Sequence, residues 1–135
     1  MKCKILFNDV WQIRAVCQGN KPFSLFEGFL NKLGANYKLQ VPKLLTLLKE
    51  VSLKGTEGLV QERKDYIEKS EGLYEFRSGL RLRVFYTEHE DNHTIILYNA
   101  YLKDNTKRKR EIDKAKKLQK KYVVALEEKT LEIEE

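Results

Sequence analysis

Apolar residues recur along this chain with two different periods. Over residues 24–53 they return every three or four positions, and over residues 73–102 they alternate or run together. The first spacing is that of a helix buried on one face, and the second is that of strands. Ser24-Leu25-Phe26-Glu27 has the form of a capping box. Phe26, Phe29, Leu30 and Leu33 follow on one helical face, and Gly34 supplies the stop. Pro42 suits the first turn of a second helix running to about Leu53. Its Leu44, Leu45, Leu47, Leu48 and Val51 form a broad apolar face. Residues 73–77 and 81–86 flank Ser78-Gly79-Leu80, which predicts a β-hairpin with a three-residue loop. A third strand fits residues 94–102, after a turn at 88–92. Residues 2–7 read as an early strand, and residues 8–21 carry no pattern that assigns them. A last helix from about Thr106 places Ile112, Ala115, Leu118, Tyr122 and Leu126 on one stripe. The order predicts an α+β domain: an N-terminal strand, a helical hairpin, a three-stranded antiparallel sheet and a C-terminal helix, with the helices on one face of the sheet.

Composition narrows the class. A chain of 135 residues suits one domain, here residues 1–126, followed by an acidic tail at 127–135. For that tail a frayed, solvated end is preferred to a shield over basic residues. At 41% hydrophobic the chain is not a wholly disordered one. Its apolar runs are only a few residues long, whereas a membrane helix needs ~20. Residues 1–9 lack the apolar stretch of a secretory signal, so the cytoplasm is the expected compartment and no membrane partner is expected. Cys3, Cys17, His89 and His93 show no zinc spacing, and two reduced thiols are expected.

The net charge of +6 is unevenly distributed. Residues 101–121 hold ten basic side chains against three acidic ones, while residues 127–135 hold five Glu and one Lys. Lys107, Arg108, Lys109 and Arg110 crowd the first turn of the last helix, where the helix dipole disfavours cations. That placement suggests service to an anionic ligand. With the loop at residues 78–80, Arg77 would face Arg81 and Glu75 would face Arg83. Phe76, Leu82, Tyr74 and Val84 would then share the core side, and Glu75, Arg77, Arg81 and Arg83 the other. Opposed like charges destabilise a hairpin by a few tenths of a kcal/mol, up to about 1. A bound phosphate would relieve that repulsion. A plainly solvated sheet face would show the same composition.

Three segments in this order resemble one family. Leu73-Tyr74-Glu75-Phe76-Arg77 followed by Arg83-Val84-Phe85-Tyr86 is similar to the hairpin signature of the RelE/HigB-type toxins. Within the RelE/ParE superfamily the likeness is to the phage-derived Gp49-like branch. Residues 96–103, Ile-Leu-Tyr-Asn-Ala-Tyr-Leu-Lys, resemble that branch's third strand, and Arg110-Glu111-Ile112-Asp113-Lys114-Ala115 its last helix. The resemblance covers about residues 22–123 and is dense over 73–116. It implies a toxin of a type II toxin–antitoxin system with a RelE/ParE-like fold. It further implies an endoribonuclease (mRNA interferase) that acts on the ribosome, inhibits translation and uses no metal or other cofactor. In that chemistry the ribose 2′-OH attacks the adjacent phosphorus, leaving a 2′,3′-cyclic phosphate and a 5′-OH.

Matched position by position, the resemblance implies Arg83 as the phosphate and transition-state clamp and Arg77 as the second. It implies Lys103 as a proton donor to the leaving oxygen or a phosphate ligand, and Glu75 as the carboxylate orienting Arg83. Arg81, Lys107, Arg108, Lys109 and Arg110 would bind the RNA backbone. The implied partners are a helix-turn-helix antitoxin, mRNA with the ribosome, and operator DNA through the antitoxin. The chain departs from the pattern at Asp104, where the family has a second lysine, and at Asn99, where histidine is common. The proline before the last helix is missing. No residue therefore stands out as the general base. Two further readings stay open: a ParE-like toxin acting on DNA gyrase, and a catalytically inactive relative that only binds an antitoxin or nucleic acid.

Overall fold

Local signals set the helical half of the molecule. In the computed structural model, which describes residues 1–19, 21–59, 64–68, 72–104 and 107–135, the Glu27 amide donates to Ser24 Oγ at 3.1 Å and the Ser24 amide donates to Glu27 Oε1 at 3.0 Å. This closed capping box opens helix α1 (Leu25–Lys32). Helix α2 (Gln40–Lys54) starts two residues before Pro42. It ends at Gly55, which takes the left-handed φ of 80°. A Cβ at Gly55 would come within 2.8 Å of the Trp11 indole nitrogen, so both conformation and space call for glycine there.

The strands assemble into a mixed sheet, and the fold is α+β. In chain order they are β1 (Lys2–Asn8), β2 (Gln12–Val16), β3 (Lys64–Glu68), β4 (Leu73–Ser78), β5 (Leu82–His89), β6 (Thr94–Leu102) and β7 (Glu132–Glu134). Their order across the sheet is β3-β4-β5-β6-β2-β1-β7. The expected antiparallel trio is β4, β5 and β6, but the sheet is wider than three strands plus an early one. Strand β2 occupies part of the unassigned stretch and runs parallel to β6, with Gln12 beside Thr94 and Ala15 beside Leu97. It also pairs antiparallel with β1, Asn8 facing Gln12, and a five-residue strand with so short a repeat leaves little local trace. Residues 132–134 of the acidic tail are paired, contrary to the frayed end expected. They lie parallel to β1, with Lys2 Nζ 3.3 Å from Glu134 Oε1.

The helices cover both faces, which corrects the one-sided arrangement. On one side Phe26 of α1 and Leu44, Leu47, Leu48 and Val51 of α2 pack on Ile13, Phe76, Val84, Tyr86 and Leu97. On the other, helix α3 (Arg108–Glu127) lays Ala115 and Tyr122 on Leu73, Phe85, Ile96 and Tyr98. The stripe of α3 was expected to end in Leu126, but Ala125 is buried and Leu126 is 41% exposed. Strand β6 explains the double layer. It is buried on both faces from Thr94 to Tyr101, and so reads as a near-continuous apolar run. Fully burying a side chain such as Leu48 is worth about 1.5–3 kcal/mol.

The β4–β5 register also differs from expectation. The loop is residues 79–81, one position further on, so Ser78 faces Leu82 and Arg77 faces Arg83. Glu75 therefore faces Phe85 rather than Arg83. The shift is two residues, so every side chain that remains in the two strands keeps its expected face, and only Arg81 leaves it for the loop. Gly79 takes φ 64° in the loop. Strand β6 carries a bulge, pairing Ala100 with Val84 but Leu97 with Tyr86. Tyr98 lies on the α3 side and Ala100 on the other, so the bulge falls at Asn99.

Candidate nucleic-acid interface

Three strands and one helix end converge on a single carboxylate. Glu75 on β4 is fully buried. Its Oε1 accepts from Arg77 Nε at 3.2 Å, and its Oε2 accepts from the Tyr101 hydroxyl at 3.0 Å. Arg83 Nε stands 3.9 Å from Oε1, and Nη2 of Arg108, on the first turn of α3, stands 3.7 Å away. The sheet register dictates this meeting. Arg83 lies between Arg77 on β4 and Tyr101 on β6, so the three share a row across the strands. Phe85 stacks on the Tyr101 ring at 5.1 Å and fixes it. A buried carboxylate is tolerable only when paired. Here three guanidiniums gather within 4 Å of one carboxylate.

The three arginines differ in access. Arg83 is only 7% exposed along its side chain, against 20% for Arg77 and 36% for Arg108. Arg83 does not present the open clamp expected of it. Its Nη1 donates to the carbonyls of Gly79 and Leu82 at 3.2 and 2.9 Å, and its Nη2 donates to that of Leu80 at 2.8 Å. Burial pushes the Arg83 guanidinium below its ordinary pKa, Glu75 opposes that, and Arg77 and Arg108 add to it. Burial raises the Tyr101 hydroxyl well above the usual tyrosine range, with Glu75 acting in the same direction. Arg77 and Arg108 are thus the members placed to touch an outside anion.

The remaining expected residues lie apart from this cluster. Among the described residues Lys103 makes no side-chain contact with it, and only its backbone is engaged, to Arg81. Arg81 sits in the loop instead of sharing the face of Arg77. Its Nε donates to the Lys103 carbonyl at 3.1 Å and its Nη1 to the Tyr37 hydroxyl at 3.1 Å. Lys109 is exposed. Arg81, Lys107 and Arg110 line a cleft of about 610 Å³ between α1 and α3, along the part of β6 that β2 does not accompany. Asp104, where the family pattern has lysine, accepts the Lys107 amide at 3.0 Å just ahead of α3, a helix with no side-chain N-cap.

Neither histidine approaches the arginine cluster. His89 packs on Tyr122 and His93 on Trp11. Along β5, His89 is six residues from Arg83, or ~20 Å. Burial, with Arg14 adding to it, holds His89 below the ordinary imidazole pKa. Among the described residues no group of three His, Cys, Asp or Glu side chains converges as metal ligands would. Chemically, the cluster can hold a phosphate by charge and by forked donors, and among the described residues it offers no open proton acceptor.

Sequence reasoning missed Tyr101 and misplaced Arg108. The first had a signal in the unbroken apolar run of β6, which implies a covered second face. The second had one in the cations crowding the start of α3. No family model, curated protein or solved structure matches the chain.

Proposed function

We propose that this chain is the toxin of a type II toxin–antitoxin system, an endoribonuclease of the RelE/HigB type that cleaves messenger RNA and is neutralised by a helix-turn-helix antitoxin. The observation that carries the reading is the gathering of Arg77, Arg83 and Arg108 around Glu75. Such a group suits the extra negative charge that develops on phosphate oxygens when the 2′-OH attacks phosphorus. Arg77 and Arg108 would ligate the scissile phosphate. Glu75 orients them, and Arg83 braces the hairpin loop while adding to the local potential. The basic first turn of α3 extends the same field along the RNA backbone. The order of strand, helical hairpin, antiparallel trio and final helix, within a broader sheet, supports a RelE/ParE-like fold.

With no proton acceptor beside the cluster among the described residues, the rate would rest on positioning and charge, or on groups supplied by the ribosome. That gap is also the one observation favouring a reading in which the chain binds nucleic acid or a protein target without cutting. The deciding experiment is induction of the chain in cells lacking an antitoxin, with transcripts mapped for 5′-OH ends. Growth arrest with cleaved message is expected. The double variant Arg77→Ala, Arg108→Ala should lose cleavage by about 10²–10³-fold, the scale seen when one charge-stabilising donor is removed. Arrest with intact message would replace the nuclease by a ParE-like action on DNA gyrase. Harmless expression of the folded chain would replace it by a binding module.

A further inference from the structure

The cleft beside β6 has features that a merely basic surface does not need. Phe23 stands at its wall, 40% exposed, with Lys21 Nζ 5.9 Å from the ring centroid. A Cβ on Gly28 would lie 3.1 Å from that ring, so α1 passes close beneath Phe23 and holds it. An exposed aromatic ring among cations is a stacking platform for an unpaired base.

Asn99, set at the β6 bulge, is only 3% exposed and lines the same cleft. Its Nδ2 donates to the Glu111 carbonyl at 3.0 Å and to Glu111 Oε2 at 2.9 Å. Those two acceptors fix which end of the amide is nitrogen. The other end, Oδ1, is buried and has no partner. A buried unsatisfied acceptor carries a cost that a matching donor would remove. The neighbouring Glu111 carboxylate, also on the cleft wall, is acceptor-only when ionised. An unpaired amide oxygen and a carboxylate on one cleft wall suit a ligand with two adjacent donors. Among the bases guanine has them, in N1–H and N2–H₂. Adenine and cytosine set one donor beside an acceptor, and uracil flanks its donor with acceptors.

We propose that this cleft is a nucleotide subsite selecting guanine in single-stranded RNA, through Asn99 Oδ1 and the Glu111 carboxylate, with the base on Phe23 and the phosphate among Lys32, Arg110 and Lys114. The inference deepens the RNA-cleaving reading and rests on it. The cleft shares the first turns of α3 with the arginine cluster, so it would seat a nucleotide near the scissile linkage. An acidic peptide adding to the open edge of β6 would use the same cations, but it would leave the Phe23 platform without a role.

The test titrates the wild-type protein with the 5′-monophosphates of guanosine, adenosine, cytidine and uridine at one ionic strength, following amide shifts by NMR. The phosphate charge is constant, so any difference belongs to the base. GMP is expected to bind about tenfold tighter than the other three. Glu111→Ala should keep binding and lose the preference, whereas Phe23→Ala should weaken all four. Equal affinities, or no nucleotide binding beside strong binding of an oligoglutamate peptide, would overturn the subsite. The two proposals fail separately. Guanine preference with uncut message would retain the subsite and sink the nuclease. Cut message with equal affinities would do the reverse.

Discussion

Toward α1 and α2 the sheet presents Ile13, Phe76, Val84 and Leu97; toward α3 the same strands present Leu73 and Phe85 and then, at one end, Glu75, Arg77 and Arg83. The first face gains stability from every residue it buries, in any orientation that fills space. The second encloses charge, which is tolerable only in one arrangement of partners. The difference separates the part of the molecule that holds the fold from the part organised to bind an anion. It also predicts that the two faces fail in different ways.

The largest expected effect is on the charged face. Glu75→Ala should cost about 3–5 kcal/mol, because it leaves Arg83 buried without its carboxylate. Urea unfolding with and without phosphate sharpens the contrast. Phosphate should raise the midpoint of this variant more than that of the wild type, since the bared guanidiniums gain an anion. On the apolar face Leu48→Ala should cost about 2–5 kcal/mol through the lost burial and the cavity left behind, with no response to phosphate. If phosphate rescued both variants equally, the distinction between the faces would fall.

Smaller effects belong to the rim. Ser24→Ala should cost about 1 kcal/mol by opening the capping box. Burial opposes ionisation of Glu27, but the Ser24 amide and hydroxyl and the Lys4 ammonium outweigh it and hold the carboxyl below its ordinary pKa. A lowered folded-state pKa contributes stability above the ordinary carboxyl value and loses it as pH falls through the lowered one. The gap between wild type and Glu27→Gln in urea midpoint should therefore close on acidification. A gap that widened would contradict the assignment.

The helices were legible because their signals are local. Ser24 and Glu27 are three residues apart, and the apolar face of α2 repeats within one stretch. Strand β2 was not, since it is only five residues long, and its pairing with β6, far along the chain, is settled by tertiary structure. The gathering of Glu75, Arg77 and Arg83 on one face was readable from alternation. The commitment of Arg83 to loop carbonyls was not, because it depends on where the turn closes. Nor was Asn99 legible as an amide engaged through its nitrogen alone, since the bulge that places it and the glutamate that engages it belong to tertiary structure.

The grip of Arg83 on the loop has a consequence for how the hairpin finds its alignment. A slide of β5 by two residues would return every apolar side chain to its own side, so burial alone cannot detect the mistake. In the shifted pairing the guanidinium would no longer meet the loop oxygens of residues 79 and 80. One arginine thereby proofreads the zipper, rejecting an alternative that hydrophobic sorting would accept.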